Sequence, residues 1–150
     1  MAVRVPREDF DLGAELAALR AGRADIGALV SFTGLVRDPD GTLTGLELEH
    51  YPAMTEPALA AIEAEAQGRW PLQASLILHR YGAFAPGDQI MMVAVASAHR
   101  QAAFAAAEFL MDYLKSRAPF WKKETTAAGS AWVDARDVDE AALARWSPGG

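Results

Sequence analysis

The stretch Gln89–Glu124, QIMMVAVASAHRQAAFAAAEFLMDYLKSRAPFWKKE, decides how this chain folds. Gln89–Ser97 is an apolar run rich in Val and Met, which predicts a buried strand. From about His99 to Lys115 the chain is written in Ala, Glu, Leu and Met, strong helix formers, and Pro119 stops the helix. Trp121–Thr126 and Ala131–Ala135 then predict a hairpin across Ala128-Gly129. Upstream, Ala85-Pro86-Gly87-Asp88 is a turn that follows a strand over Ala74–Tyr81. Thr55 is placed to cap a helix running to Arg69, with Glu56 and Pro57 in its first turn. Gly27–Val36 (GALVSFTGLV) reads as a strand, Asp38-Pro39-Asp40-Gly41 as a turn, and Leu43–Tyr51 as a strand with alternating Leu and Glu. These two strands are expected to form a hairpin. Asp11 caps a helix to Arg20 closed by Gly22, Val3–Val5 suits a short strand, and Asp137–Trp146 predicts a terminal helix. The expected fold class is α+β, a mostly antiparallel or mixed sheet with hairpins flanked by helices. One domain over 1–146 is expected, with residues 147–150 as a disordered tail.

Composition narrows function. The 150 residues hold 14 Lys and Arg against 20 Asp and Glu, a net charge of −6, which disfavours a coat for nucleic acid. No cysteine is present, so disulfides, zinc fingers, iron–sulfur sites and a cysteine nucleophile are excluded, and a cytoplasmic location fits. The apolar stretch Ile90–Ala96 falls far short of the ~20 residues a bilayer needs. There is no G-x-G-x-x-G, phosphate-loop or G-x-S-x-G motif. His50, His79 and His99 lack ligand spacing, so neither a metal nor a cofactor is expected, and His79 reads as a structural residue.

The lysines carry the strongest chemical signal. The chain has three, Lys115, Lys122 and Lys123, all within nine residues and interleaved with Pro119, Phe120 and Trp121. On an acidic protein this segment suits an anion. A lysine beside apolar groups can exchange a proton, and a charged one stabilises developing negative charge. A helix C-terminus with ordinary basic residues, followed by a solvated loop, fits the same spacing. His99 and Arg100 open the same helix, where anions are favoured, and Arg37 sits where a strand meets a turn. Arg100 and Lys115 would lie ~22 Å apart on a straight helix, so either they serve different sub-sites or a symmetric dimer brings one copy's helix start beside the other's helix end.

The strings SFTGLVRD (31–38), LELEHYPAMTE (46–56), SAHR (97–100) and above all FLMDYLKSRAPFWKKE (109–124) resemble the large, catalytic subunits of molybdopterin synthase, the MoaE family. The resemblance runs from about Gly27 to Trp146 and is weaker before it. It implies an α/β-hammerhead fold and a homodimer within a heterotetramer. Each large subunit would bind a small ubiquitin-like sulfur carrier whose C-terminal Gly-Gly bears a thiocarboxylate. Two sulfurs would pass to cyclic pyranopterin monophosphate, precursor Z, giving the molybdopterin dithiolene, with no cofactor. Motif matching implies Lys115 and Lys122 as catalytic residues. It implies Arg37, His99, Arg100, Lys123, Glu124 and Arg136 as substrate-binding residues, Arg136 from a second subunit. Phe32 and Met111 would wall the channel for the partner's tail. Leu35 stands where relatives often carry a polar or basic residue. The chain's own Gly149-Gly150 lacks a ubiquitin-like domain before it and reads as coincidence. Two rivals differ in class: a non-catalytic dimeric docking module for a ubiquitin-like tail, and an RNA-binding domain stacking bases on Phe120 and Trp121.

Overall fold

A computed structural model describes residues 2–133 and 137–146. Its elements run β1 (Ala2–Arg4), α1 (Leu12–Arg20), β2 (Ala28–Leu35), β3 (Leu43–His50), α2 (Pro52–Arg69), β4 (Leu72–His79), β5 (Gly82–Phe84), β6 (Gln89–Ser97), α3 (Arg100–Arg117), β7 (Phe120–Thr126), β8 (Gly129–Val133) and α4 (Asp137–Ala144). Helices and mixed strands confirm the α+β class, but there are two four-stranded sheets, ordered β1-β4-β6-β2 and β5-β3-β7-β8.

The first sheet is covered on both faces. On one, Ile77, Val93 and Val95 meet Leu59 and Ile62 of α2 and Phe109 and Leu110 of α3. On the other, Leu76, Leu78, Met92 and Ala94 meet Phe10, Leu12, Leu16 and Leu19 around α1. Double burial is why β4 and β6 read as nearly unbroken apolar runs. Strand β1 pairs parallel to β4 and is pinned where the Ala2 N–H donates to Glu63 at 3.2 Å.

The expected hairpin of β2 and β3 does not form. Strand β2 pairs along its length with β6, from Ala28↔Ser97 to Leu35↔Gln89, while β3 joins the second sheet between β5 and β7. The Asp38 turn is real, since its carboxylate accepts the N–H groups of Thr42 and Leu43 at 3.2 Å. It carries the chain from one sheet to the other because the non-local partner β6 offers β2 the longer ladder. Helix α2 starts three residues before the expected cap. Pro52 takes its first turn, and Thr55 is buried inside it, its hydroxyl donating to the Tyr51 carbonyl at 2.8 Å. Strand β5 was not expected; it begins at Gly82, whose φ of +111° lets the chain leave β4 for the second sheet.

The remaining elements agree with the sequence within a few residues. Asp11 caps α1 by accepting the Ala14 N–H at 3.0 Å. Strands β7 and β8 form the last hairpin, with Thr126↔Gly129 at its tip. Arg136, the end of the expected strand at Ala135, and the tail 147–150 lie outside the described residues.

Candidate active site

The site lies where the two sheets diverge. A cleft of about 860 Å³ opens between the inner face of the second sheet, the loop after β2 and the C-terminal turn of α3. A recess of about 120 Å³ adjoins it, and Lys115, Lys122 and His79 line both.

Strand alternation decides which side chains enter. In the β3–β7 ladder Leu48 faces Lys122, Glu47 faces Lys123, and Leu46 faces Glu124. Directly paired residues share a face. Leu46 and Leu48 are buried on the inner face, so Lys122 and Glu124 point inward and line the cleft. Lys123 points outward, and its Nζ lies 5.7 Å from the ring centre of Trp132, its partner on β8. Lys115 comes from α3, one turn beyond Met111, and these two share the recess wall.

The loop after β2 brings Arg37 to the cleft. Its root is tied down where the Val36 N–H donates to the Asp88 carbonyl at 2.9 Å and the Gly87 N–H to the Val36 carbonyl at 2.8 Å. Phe32 and Gly34 form the opposite wall of the recess. A Cβ at Gly34 would meet Met91 Cγ at 3.3 Å, so the glycine keeps this wall open. Phe32 is 43% exposed and Leu35 56%, a large apolar area at the mouth.

Three cations, Arg37, Lys115 and Lys122, are matched in the wall by Asp38, Asp40 and Glu124. The cleft is therefore mixed in charge rather than simply positive, although Asp38 is occupied by two backbone N–H groups. His99 and Arg100 are exposed at the far end of α3 and do not line the cleft. His79, which the sequence reads as a structural residue, ends β4, faces α3 and lines both cavities. Its register partner Met91 belongs to that side of the sheet and lines the recess beside it. Burial foremost, with Lys115 and His50 nearby, lowers the His79 pKa to about 4 against the weaker opposing effect of its bond to Arg80. The signal was available: with Ile77 facing the core, period two places residue 79 on the same side. Ser116, also in the wall, has a buried hydroxyl with no hydrogen-bond partner among the described residues. Among the described residues no group of three His, Cys, Asp or Glu side chains is arranged to hold a metal.

The family model "MoaE protein" matches residues 5–117. The chain belongs to the MoaE family. A molybdopterin synthase catalytic subunit from Mesorhizobium japonicum is 60% identical over 146 residues, covering 96% of this chain and 92% of that one. The solved molybdopterin biosynthesis MoaE protein from Burkholderia ambifaria is 58% identical, with a TM-score of 0.83 and 96% of each chain covered. A Helicobacter pylori structure, a complex of subunits 1 and 2 of molybdopterin-converting factor, matches with a TM-score of 0.75 over 89% of this chain and 91% of that one. At 20% identity that likeness speaks for the fold alone.

Proposed function

We infer that this MoaE chain is the catalytic subunit of a molybdopterin synthase, acting in molybdenum cofactor biosynthesis. We propose that it transfers sulfur from the C-terminal thiocarboxylate of a small ubiquitin-like subunit to cyclic pyranopterin monophosphate in the cytoplasm. The observation that carries the reading is the junction of an apolar recess, walled by Phe32 and Met111, with a cleft holding Lys115 and Lys122. An extended Gly-Gly tail needs a narrow channel with little steric obstruction, and Gly34 supplies it. A thiocarboxylate arriving there meets the lysine ammonium groups, which orient an anion and supply protons.

In this mechanism Lys115 orients the sulfur at the reacting carbon and moves the proton there. Lys122 stabilises the charge that develops as oxygen departs, or protonates it. Each sulfur delivered leaves the small subunit ending in an ordinary carboxylate. Arg37 and Glu124 hold the substrate's polar groups in the cleft, and no metal or cofactor is required.

The balance of charge in the wall favours a dimeric active site. A phosphate brings further negative charge to a cleft whose three cations already stand among three carboxylates, and His99 and Arg100 stand ~22 Å from Lys115 along α3. We therefore assign His99, Arg100 and Arg136 to a substrate pocket completed across a homodimer, with a small subunit on each copy. Lys123, turned out of the cleft over Trp132, takes no part in the step at Lys115 and Lys122. The test mixes the chain with thiocarboxylated small subunit and precursor Z and follows molybdopterin as its fluorescent oxidised derivative. Product formation that collapses in Lys115→Ala or Lys122→Ala supports the reading. Tight binding of the small subunit without product would favour the docking module.

A further inference from the structure

His79 is held more tightly than a residue filling space needs to be. Its ring stacks on Phe120 with centroids 3.8 Å apart and planes 19° apart. Its Nδ1 lies 2.9 Å from the Arg80 carbonyl oxygen. A carbonyl only accepts, so Nδ1 carries the hydrogen. In the neutral ring Nε2 is then a bare acceptor, and no hydrogen bond reaches it among the described residues.

The groups around the ring come from four places. Lys115 of α3 and His50 of β3 act on it electrostatically, and Phe120 and Lys122 of β7 line the same cleft. Arg80 follows it in the chain, but its guanidinium is turned to the Gln89 and Arg7 carbonyls. His50 donates its Nδ1–H to the Thr55 hydroxyl at 2.9 Å, because that hydroxyl's own hydrogen goes to the Tyr51 carbonyl. The recess thus has cationic Lys115 and Lys122, and one imidazole without charge at neutral pH.

That lack of charge matters for a lysine that must exchange a proton. A carboxylate beside Lys115 would pair with the ammonium and hold it ionised. A third cation in place of the ring would add to the repulsion from Lys122 and compete for the donor anion. A neutral acceptor fixes the direction of Nζ and leaves the proton free to move. Lys115 Nζ has no hydrogen bond or ion pair of its own among the described residues, and the four torsions of lysine let it turn toward the ring.

We propose that His79 is a positioning residue for Lys115, its bare Nε2 accepting a hydrogen bond from Nζ and aiming the lysine at the junction of recess and cleft. This rests on the reading of Lys115 as the lysine at the reacting centre.

The test has two arms, each with the full chain. The first needs no reaction. ¹⁵N spectra should show His79 as the Nδ1–H tautomer at neutral pH. Of the three lysine ¹³Cε signals, that of Lys115 should move in His79→Leu and return toward its parent position in His79→Gln, whose amide oxygen is a neutral acceptor. The Lys123 signal, outside the cleft, should stay. The second arm measures sulfur transfer with thiocarboxylated small subunit. His79→Leu should lower kcat about tenfold, leave KM for the small subunit unchanged and displace the pH–rate profile, whereas His79→Gln should stay within about threefold of the parent.

An Nε2–H tautomer, or a Lys115 signal indifferent to both variants, would overturn the proposal. So would equal losses in Leu and Gln with unchanged pH profiles, which would reduce the ring to a packing partner of Phe120. If the parent chain transfers no sulfur, the catalytic reading fails, and the spectra still decide the contact between His79 and Lys115.

Discussion

The two sheets use the same strand geometry for opposite ends. The β1-β4-β6-β2 sheet is apolar on both faces at its centre, and β6 from Met91 to Ser97 is buried throughout. The β5-β3-β7-β8 sheet buries Leu46 and Leu48, yet on the same face of the neighbouring strand it sets Lys122 and Glu124. Charged groups on an inward face are costly unless a cavity keeps them hydrated or a ligand meets them. The first sheet is a foundation; the second is half foundation and, on the proposed function, half reaction chamber. Substitutions should therefore cost stability in one and activity in the other.

The largest expected effect is in the foundation. Phe109 is fully buried and contacts Trp70, Tyr113 and Trp146 edge-on or tilted. Phe109→Ala should destabilise the chain by about 3–5 kcal/mol, read as a fall in the urea midpoint. In the chamber, Lys122→Ala should leave the urea midpoint nearly unchanged and lower sulfur transfer by about 10²–10³-fold. Its neighbour supplies the contrast. Lys123→Ala, on the outer face over Trp132, should cost less than about threefold in rate. Equal losses at 122 and 123 would break the distinction between faces.

This pair also shows how far the sequence could be read. Lys122 and Lys123 look alike in a basic cluster, and only the register with Leu48 and Glu47 sends them to opposite sides. The helix α3, the turn Ala85–Asp88 and the β7–β8 hairpin were legible because each rests on local chemistry. The expected β2–β3 pairing does not form because a local turn signal says nothing of a partner 54–69 residues away in sequence, and β6 takes β2 for itself. Of the candidate site, Lys115, Lys122, Arg37, Glu124, Phe32 and Met111 meet around the joined cavities. His79 reads as structural because a strand histidine is ordinary; its contact with the Arg80 carbonyl and its stacking on Phe120 exist only once β4 and β7 are brought together.

Acid tests the boundary between foundation and chamber. The folded chain protonates His79 only near pH 4, whereas the unfolded chain does so near 6.5. Between those values the unfolded state holds more protons, so acid favours unfolding. The effect is absent above about 6.5, grows as pH falls, and saturates below about 4 at a ceiling of about 3 kcal/mol. Glu63 acts in the opposite sense, because burial raises its pKa against the hydrogen bonds from Ser75 and Ala2. Its contribution cancels when parent and variant are compared. His79→Gln should therefore lose Tm less steeply than the parent from pH 6.5 to pH 4. Parallel curves would mean that the folded ring titrates normally.

The smallest effect concerns the join of α3 with Arg145 and Trp146 after the last helix, whose residues do not line the cleft or the recess. Asp112 receives the Arg145 guanidinium at 2.7 Å and the Trp146 indole N–H, and Trp146 in turn packs on Trp70 and Phe109. Glu108 reaches the same arginine at 2.9 Å but is more than half exposed, whereas Asp112 is 14% exposed. A largely exposed ion pair contributes little, while a sheltered carboxylate that satisfies two donors contributes more. Asp112→Ala should cost about 1–2 kcal/mol and Glu108→Ala less than about 0.5 kcal/mol, both read in urea. Sulfur transfer should stay within about threefold of the parent in each, because the backbone at Lys115 is anchored by α3 itself, whose Leu110 and Leu114 are buried against the first sheet. If Asp112→Ala instead lowered the rate as far as Lys122→Ala, the foundation and the chamber would be one mechanical unit, with the terminal helix holding the lysine in place.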